Sequence, residues 1–234
     1  MLDIPWPKPL TEEQLKKLDA YRRLLLDWNE RMNLTAITDE PEVYVKHFYD
    51  SLAVLMVPEW KKIVRPGLRV IDVGTGAGFP GIPLAIVEED VEFVLNDALQ
   101  KRVGFLQAVV DELNLANVRV IHARSEDLAR EMDYRQQFDV VVSRAVARLN
   151  ILMELMCPFL RVGGVGFSYK GPGFDDERVD GLRAAKRLGA ALKEPMTYTL
   201  PLEMGARTIV AFEQITPISN TYPRKAGIPQ RKPL

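Results

Sequence analysis

The apolar positions change their rhythm along this chain. Near the start they recur at helical spacing. Leu15, Leu18, Tyr21, Leu25, Trp28 and Met32 fall three or four residues apart, which predicts one apolar stripe on a helix. Thr11, with Gln14 three residues on, has the pattern of a capping box and marks where that helix opens. NERMNLTAITDEPE interrupts the stripe, and a second helix is predicted from Pro41 through VYVKHFYDSLAVL. From Arg69 onward the rhythm differs. LRVIDVG, VEFVLND, VRVIHA, FDVVVSRA and VGFSYKG are short, nearly continuous apolar runs, the look of parallel strands buried on both faces. Helical stretches at 82–87, 99–113, 126–132 and 150–160 separate them. After a further helix at 175–188, MTYTLPL and RTIVAFEQI read as two last strands, a hairpin at one edge. Strands alternating with helices predict a doubly wound α/β fold, with a mostly parallel seven-stranded sheet and helices on both faces. The expected boundaries are a helical extension over 1–66 packed on the domain, the sheet domain over 67–216, and an irregular tail over 217–234.

Composition narrows this picture. A chain of 234 residues, 47% hydrophobic, suits one large domain with a sizeable core. No apolar run approaches the ~18 residues of a membrane span, and MLDIPWPKPL reads as neither a signal nor a transit peptide, so a cytoplasmic protein with no membrane partner is expected. The single cysteine, Cys157, excludes an internal disulfide and a cysteine-based zinc site. It lies in an apolar helical run, as a core residue would, and no metal is expected. The formal net charge of -1 rules out a bulk polycation, so any contact with nucleic acid must come from local patches. One such patch follows Glu213, the last acid in the chain: Arg224, Lys225, Arg231 and Lys232. The plainer reading of that tail is a solubilising end.

The chemistry concentrates in VIDVGTGAGFPG, Val70 to Gly81, at the end of the first predicted strand. In open α/β sheets, ligands bind beyond the carboxyl ends of the strands, beside the first strand. A dinucleotide fingerprint needs G-x-G-x-x-G. From Gly74 and Gly76 the third position is Phe79. From Gly76 and Gly78 it is Gly81, but the flanking Pro80 and Pro83 make a poor fit to the close helix–strand packing that glycine serves. A phosphate-binding P-loop needs Gly-Lys-Ser/Thr, and no lysine lies between Lys62 and Lys101. D-x-G-x-G-x-G matches instead the loop that binds S-adenosylmethionine in Rossmann-like methyltransferases. Asp72 then either holds a donor group of the cofactor or orients the loop. Asp97, at the end of the second strand, is placed to accept ribose hydroxyls, and Ser125 and Glu126 fall near the adenine. The plain alternatives are turn capping for Asp72 and Asp97 and a helix cap for Ser125.

The acceptor is constrained by what is missing. The Asn/Asp-Pro-Pro-Tyr/Phe motif of many amino-methylating enzymes is replaced by SRAVA, Ser143 to Ala147, and no cysteine nucleophile is placed to help. The acceptor should therefore be a nucleophile that needs no activation. Guanine N7 carries a lone pair and no proton, so its methylation needs positioning and electrostatics only.

WNERMNLTAI, HFYDSL, VIDVGTGAGFPGIPL, DALQKRVGFL, FDVVVSRAVA and YPRKAGIPQRKPL together resemble the family of small-subunit ribosomal RNA guanine-N7 methyltransferases G, also called glucose-inhibited division protein B. The resemblance spans nearly the whole chain. It implies a class I S-adenosylmethionine-dependent methyltransferase fold and transfer of a methyl group to N7 of one guanine in 16S ribosomal RNA, as naked RNA or in the small subunit. It places cofactor contacts on Gly74, Phe79, Asp97, Ala98, Leu99, Ser125, Glu126 and Arg144. Relatives often have serine at position 98, so a contact at Ala98 must come from backbone. His47, Asp50 and Arg144 are positioning candidates: His47, Asp50 and Ser51 share a predicted helix face, and Arg144 ends the fourth strand. Arg148 and Lys170 suit RNA phosphates, as do the four basic tail residues. The rival readings are a methyltransferase for a protein or small molecule, an NAD-binding oxidoreductase, and a silent RNA-binding protein.

Overall fold

The computed structural model describes residues 4–144, 147–171 and 173–234. Helix α1 (Glu12–Met32) opens on the expected capping box: the Thr11 hydroxyl accepts from the Gln14 N–H at 3.2 Å, and the Gln14 side chain accepts from the Thr11 N–H at 3.0 Å. Leu18, Tyr21 and Leu25 are fully buried, whereas Leu15, Trp28 and Met32 are only half-buried. The predicted second helix is a composite. A short α2 (Glu40–Glu42) runs into a π-helical stretch, Val43–Tyr49, then α3 (Asp50–Leu52), a 3-10 turn and α4 (Pro58–Ile63). In the π stretch the Asp50 N–H reaches back to the Val45 carbonyl, five residues away. Wide turns of this kind leave neighbouring carbonyls free for other donors.

Then the sheet begins. Strands β1 (Arg69–Val73), β2 (Glu92–Asp97), β3 (Val118–His122), β4 (Phe138–Arg144) and β5 (Leu160–Lys170) are all parallel. They alternate with α5 (Gly81–Val87), α6 (Gln100–Glu112), α7 (Ser125–Leu128) and α8 (Leu149–Met156). After α9 (Asp175–Leu188) come β6 (Ala190–Leu192), β7 (Met196–Thr199) and β8 (Ala206–Gln214), and α10 (Ile228–Arg231) lies in the tail. The order is β3-β2-β1-β4-β5-β8-β6, with β7 also on β8. The sheet therefore has eight strands rather than seven. The additional one, β6, is three residues long, too short to show any alternation in sequence. The last strands are not a simple edge hairpin. β8 lies inside the sheet, antiparallel to β5, and its outer edge is shared by β6 and β7.

Helices cover both faces. α8 and α9 bury Leu152, Met153, Met156, Ala185 and Leu188 against Ile71, Val141, Val210 and Phe212. Cys157 is part of this cluster, and burial pushes its thiol up, away from the reactive thiolate. On the opposite face α1 lies over α5 and α6, where Leu18, Tyr21 and Leu25 meet Ile82, Phe105 and Leu106. The N-terminal helices are thus part of the hydrophobic core. No described helix is long and apolar enough to cross a membrane.

Candidate active site

The chain runs outward from β1 to β2 and β3, then crosses back to β4 on the other side of β1. The crevice beyond the carboxyl ends of β1 and β4 is therefore the switch point where ligands sit in this architecture. The Ser143 hydroxyl donates to the Val73 carbonyl at 2.7 Å and ties the two strand ends together.

The glycine loop is pinned from two sides. The Gly74 and Thr75 N–H groups donate to the Asn96 carbonyl at 2.9 and 3.1 Å, and the Gly76 N–H donates to Asp97 Oδ2 at 2.9 Å. Asp97 Oδ1 accepts from the Leu99 N–H at 2.9 Å, so this carboxylate spans both loops flanking the crevice. Gly76 has φ +63°, and a Cβ there would meet nothing within 4 Å: its backbone borders open space. Gly78 is different. With φ +97°, its Cβ would lie 2.6 Å from the Tyr21 hydroxyl oxygen, so it faces α1 and not the crevice.

Asp72 is fully buried. Its Oδ2 accepts from the Thr75 hydroxyl at 2.6 Å and from the Gly81 N–H at 2.8 Å, while Oδ1 has no partner among the described residues. Burial pushes its carboxyl up to about 7, against the opposing effect of those hydrogen bonds. Of its two expected roles, Asp72 performs loop orientation; like Gly78, it does not line the crevice. Gly81 also departs from expectation. A Cβ there would lie 2.3 Å from Leu95 Cδ2, so this glycine does serve close helix–strand packing despite its two neighbouring prolines.

The crevice is a cleft of about 560 Å³ lined by Gly74, Gly76, Phe79, Asp97, Ala98, Leu99, Ser125, Glu126 and Arg144, with Thr35, Arg102 and Arg124. Ser125 opens α7 without capping it, and its hydroxyl donates to Asn96 Oδ1 at 2.8 Å. Glu126 Oε1 accepts from the Gly227 N–H at 3.0 Å, which brings the C-terminal segment to the cleft wall.

Arg144 forms the opposite wall. One of its nitrogens donates to Asp50 Oδ2 at 2.9 Å and to the Lys46 and His47 carbonyls at 3.1 and 3.3 Å, acceptors that the π stretch presents. The other lies 3.3 Å from His47 Nδ1. An arginine can only donate, so Nδ1 accepts and Nε2 carries the proton, donated to the Thr35 hydroxyl at 2.8 Å. Burial, with help from the Arg144 charge, lowers His47 to about 3, so the ring is neutral at neutral pH. Phe79 stacks on His47 at 4.4 Å and lies under the Arg144 guanidinium at 4.7 Å. Asp50 also accepts from the Tyr198 hydroxyl at 2.6 Å. Ser51 is buried, as His47 and Asp50 are, and its hydroxyl donates to the His47 carbonyl at 2.6 Å.

Behind this wall lies a second cavity of about 550 Å³, which shares His47 and Arg144 with the first and adds Asp50, Tyr169, Lys170, Glu177 and Arg207. Thr35, Tyr198, Glu177 and Arg207 carried no role in the sequence reading. Thr35 lies in the WNERMNLTAI stretch, the one signal available for it; the others reach the site only through the fold.

The basic candidates divide. Lys170 is buried and donates to Glu177 at 2.8 Å and to the Ala147 carbonyl at 2.7 Å; burial lowers its ammonium. Arg224 reaches the fully buried Glu154 through its backbone N–H and its guanidinium, at 2.5 Å for the shortest contact. Both are paired with carboxylates, Glu154 fully buried and Glu177 partly exposed, so neither is a free cation at the surface. Arg148, Lys225, Arg231 and Lys232 are exposed, although Arg148 lies 3.7 Å from Asp180 and donates to the Asp176 carbonyl at 3.1 Å. The tail is irregular apart from α10, yet it is tied to the domain: Arg135 donates to the Tyr222 and Ser219 carbonyls, and Asn150 donates to the Leu234 carbonyl. No cluster of three or more metal-ligating side chains occurs among the described residues.

Comparison with solved structures shows the fold. Similar chains include TrmN from Thermus thermophilus (TM-score 0.53, 18% identity, covering 70% of this chain and 50% of that one) and TYW2 from M. jannaschii in complex with AdoMet (TM-score 0.51, 21% identity, 67% and 75%). The sequence relatives are nearer. Proteins named ribosomal RNA small subunit methyltransferase G from Carboxydothermus hydrogenoformans and Brevibacillus brevis are each 45% identical over 225 residues, 96% of this chain and 94% and 93% of theirs. The family model described as rRNA small subunit methyltransferase G matches residues 14–197. With that match and relatives this similar over nearly its full length, the chain belongs to the rRNA small subunit methyltransferase G family.

Proposed function

We propose that this protein transfers a methyl group from S-adenosylmethionine to N7 of a guanine in 16S ribosomal RNA. The observation that carries the reading is the pair of adjoining cavities at the switch point, joined by a wall of Phe79, His47 and Arg144. The first is built for a nucleoside bearing an amino-acid arm. Gly76 brings backbone to its edge without a side chain, Asp97 offers carboxylate oxygens, and Phe79 and the half-exposed Leu99 supply apolar surface. A dinucleotide fits poorly for a reason in the structure. Pyrophosphates bind at the amide end of the first helix. Here the Gly81 N–H at that end is taken by the buried Asp72 carboxylate. Gly74, Gly76, Asp97, Ala98 and Leu99 would hold the arm and ribose, with Ser125 and Glu126 at the base.

S-adenosylmethionine supplies a methyl group on a positively charged sulfur, already activated for displacement. The protein's part is alignment. Guanine N7 attacks with its own lone pair and releases no proton, so no general base is required. The neutral His47, its Nδ1 occupied by Arg144, is in keeping with a rigid wall rather than a proton carrier. Arg148, Lys225, Arg231 and Lys232, with Arg207 at the second cavity, supply positive charge for an RNA backbone. The ribosomal partner and a cytoplasmic setting follow from this substrate.

Two measurements test the reading. Calorimetry should detect S-adenosylhomocysteine binding and no NAD binding. Incubation with 16S RNA and with 30S particles from a strain lacking the enzyme should yield 7-methylguanine at one mapped position. Methylation of protein alone would overturn the assignment.

A further inference from the structure

The second cavity has a wall that the cofactor cleft does not share, and an ion pair forms it. Lys170 ends β5 and Glu177 lies in the first turn of α9. The Lys170 ammonium donates to Glu177 Oε2 at 2.8 Å, and the same oxygen accepts from the Leu149 N–H at 2.6 Å. Among the described residues, Glu177 Oε1 has no partner. Removing an ammonium and a carboxylate from water is costly, and such pairs are weak sources of stability. This one lines a cavity, where a ligand can use it.

An ammonium beside a carboxylate oxygen offers a donor next to an acceptor. The Watson–Crick edge of guanine is the complement: O6 accepts, while N1–H and the N2 amino group donate. Adenine offers the reverse, an amino group toward the ammonium and a lone pair toward the carboxylate. Unpaired bases are commonly read on this edge. Such a pose also turns N7, on the other ring, away from Glu177.

We propose that Lys170 and Glu177 read the Watson–Crick edge of the acceptor base, with Lys170 on O6 and Glu177 on N1–H and the N2 amino group, and so select guanine. This rests on the function proposed above and assigns a specificity role to two residues at the end of the site away from the cofactor.

The test titrates guanosine, inosine and adenosine 5′-monophosphates into protein saturated with S-adenosylhomocysteine. Inosine keeps O6 and N1–H and lacks the N2 amino group. The wild type should prefer guanosine over adenosine monophosphate by about 10- to 100-fold, the scale of one bidentate base contact, with inosine between. Glu177→Gln sharpens the test. Two donors hold Oε2, so the amide oxygen takes that place and the amide NH₂ takes the place of Oε1. That presents a donor to a donor, and guanosine should lose its advantage over adenosine. Lys170→Met removes the contact to O6, which guanosine and inosine share; both should weaken together, with their ratio unchanged. The melting temperature and homocysteine-cofactor affinity of each variant separate misfolding from lost recognition, and either variant alone decides. Equal wild-type binding of the three nucleotides, no nucleotide binding, or a guanosine preference that survives Glu177→Gln would make the pair purely structural. Failure to bind S-adenosylhomocysteine would instead strike the proposed function, while the nucleotide series, run then without it, would still report on the pair.

Discussion

Two segments of this protein are each held by a buried carboxylate, in opposite ways. The glycine loop hangs on Asp72, whose Oδ2 takes a hydroxyl and an amide and meets no cation within ion-pair distance among the described residues. The C-terminal segment hangs on Glu154, fully buried and gripped by Arg224 from both backbone and guanidinium. The loop's anchor lies nine residues or fewer from what it holds; the tail's lies seventy residues away. A local anchor shapes a binding site and stays legible as a motif. A distant anchor turns a charged tail into part of the fold, whatever its composition suggests.

The largest effect expected from this contrast is at the tail. Arg224→Met leaves the buried Glu154 without its cation, holding only the backbone N–H at position 224, which should cost about 3–5 kcal/mol of folding stability by urea denaturation. Adding Glu154→Met should restore most of that loss, because an apolar pair of similar size replaces a desolvated ion pair. A tail that merely touches the surface would melt unchanged in the single variant, and the contrast with the loop would fail.

At the loop, the corresponding break is in ligand affinity. Asp97 holds the Gly76 and Leu99 amides and faces the cleft. Asp97→Ala should weaken S-adenosylhomocysteine by about 1–3 kcal/mol in calorimetry, the scale for hydrogen bonds to a charged group. Arg224→Met, where it still folds, should weaken it less, since among the described residues the tail's hydrogen bond to the cleft lining is the Gly227–Glu126 contact.

These two segments also show where sequence reading succeeds. The loop's position, Asp97 at the end of the next strand, and Arg144 at the end of β4 are consequences of strand–loop order, which alternating patterns reveal. The direction in which each loop residue points is not encoded in that order. Asp72 and Gly78 belong to the motif yet face inward, because Tyr21 and the Gly81 amide lie there. The π stretch at Val43–Tyr49 looked like ordinary helix, since seven residues cannot separate the two periods. Arg224 and Lys170 were read as free charges because Glu154 and Glu177 come to them only by tertiary folding, and in the tail nothing local names a partner.

The unpaired character of Asp72 has a signature in pH. Its carboxyl is raised from an ordinary 3.8 to about 7, so between those values the folded state binds the extra proton, and stability falls as pH rises through that window. His47 acts oppositely. It is lowered from 6.5 to about 3, so the unfolded state binds the extra proton there, and stability rises with pH up to about 6.5. Asp72→Asn keeps an acceptor for Thr75 and Gly81 and removes the falling contribution, so stability should climb more steeply from pH 4.5 to 6.5. His47→Gln removes the rising one and should flatten the same interval. Each change in slope should reach up to ~1.4 kcal/mol per pH unit, the limit for one proton. Same-direction changes in the two variants would mean that the loop's anchor is compensated by a charge after all.

The smallest effect concerns what remains of the tail's charge once Arg224 is committed to Glu154. Lys225, Arg231 and Lys232 are exposed, and among the described residues none pairs with an acid. Phosphate contacts release condensed counterions, so each residue that touches RNA adds about 0.7 to the log–log dependence of affinity on salt for single strands. Replacing all three by alanine, with Arg224 intact, should therefore make that dependence shallower by up to ~2 while melting and cofactor affinity stay constant. Cutting the tail away could not deliver this result cleanly, because it would also expose Glu154 and release Glu126 from Gly227. The measurement is a titration of full-length and triple-variant protein with one 16S RNA fragment at several salt concentrations. An unchanged slope would assign the whole tail to structure and leave RNA contact to Arg148, Arg207 and the surface around the two cavities. A shallower slope would show one segment serving both ends of the comparison, with one arginine turned inward to hold it and three cations turned outward to bind.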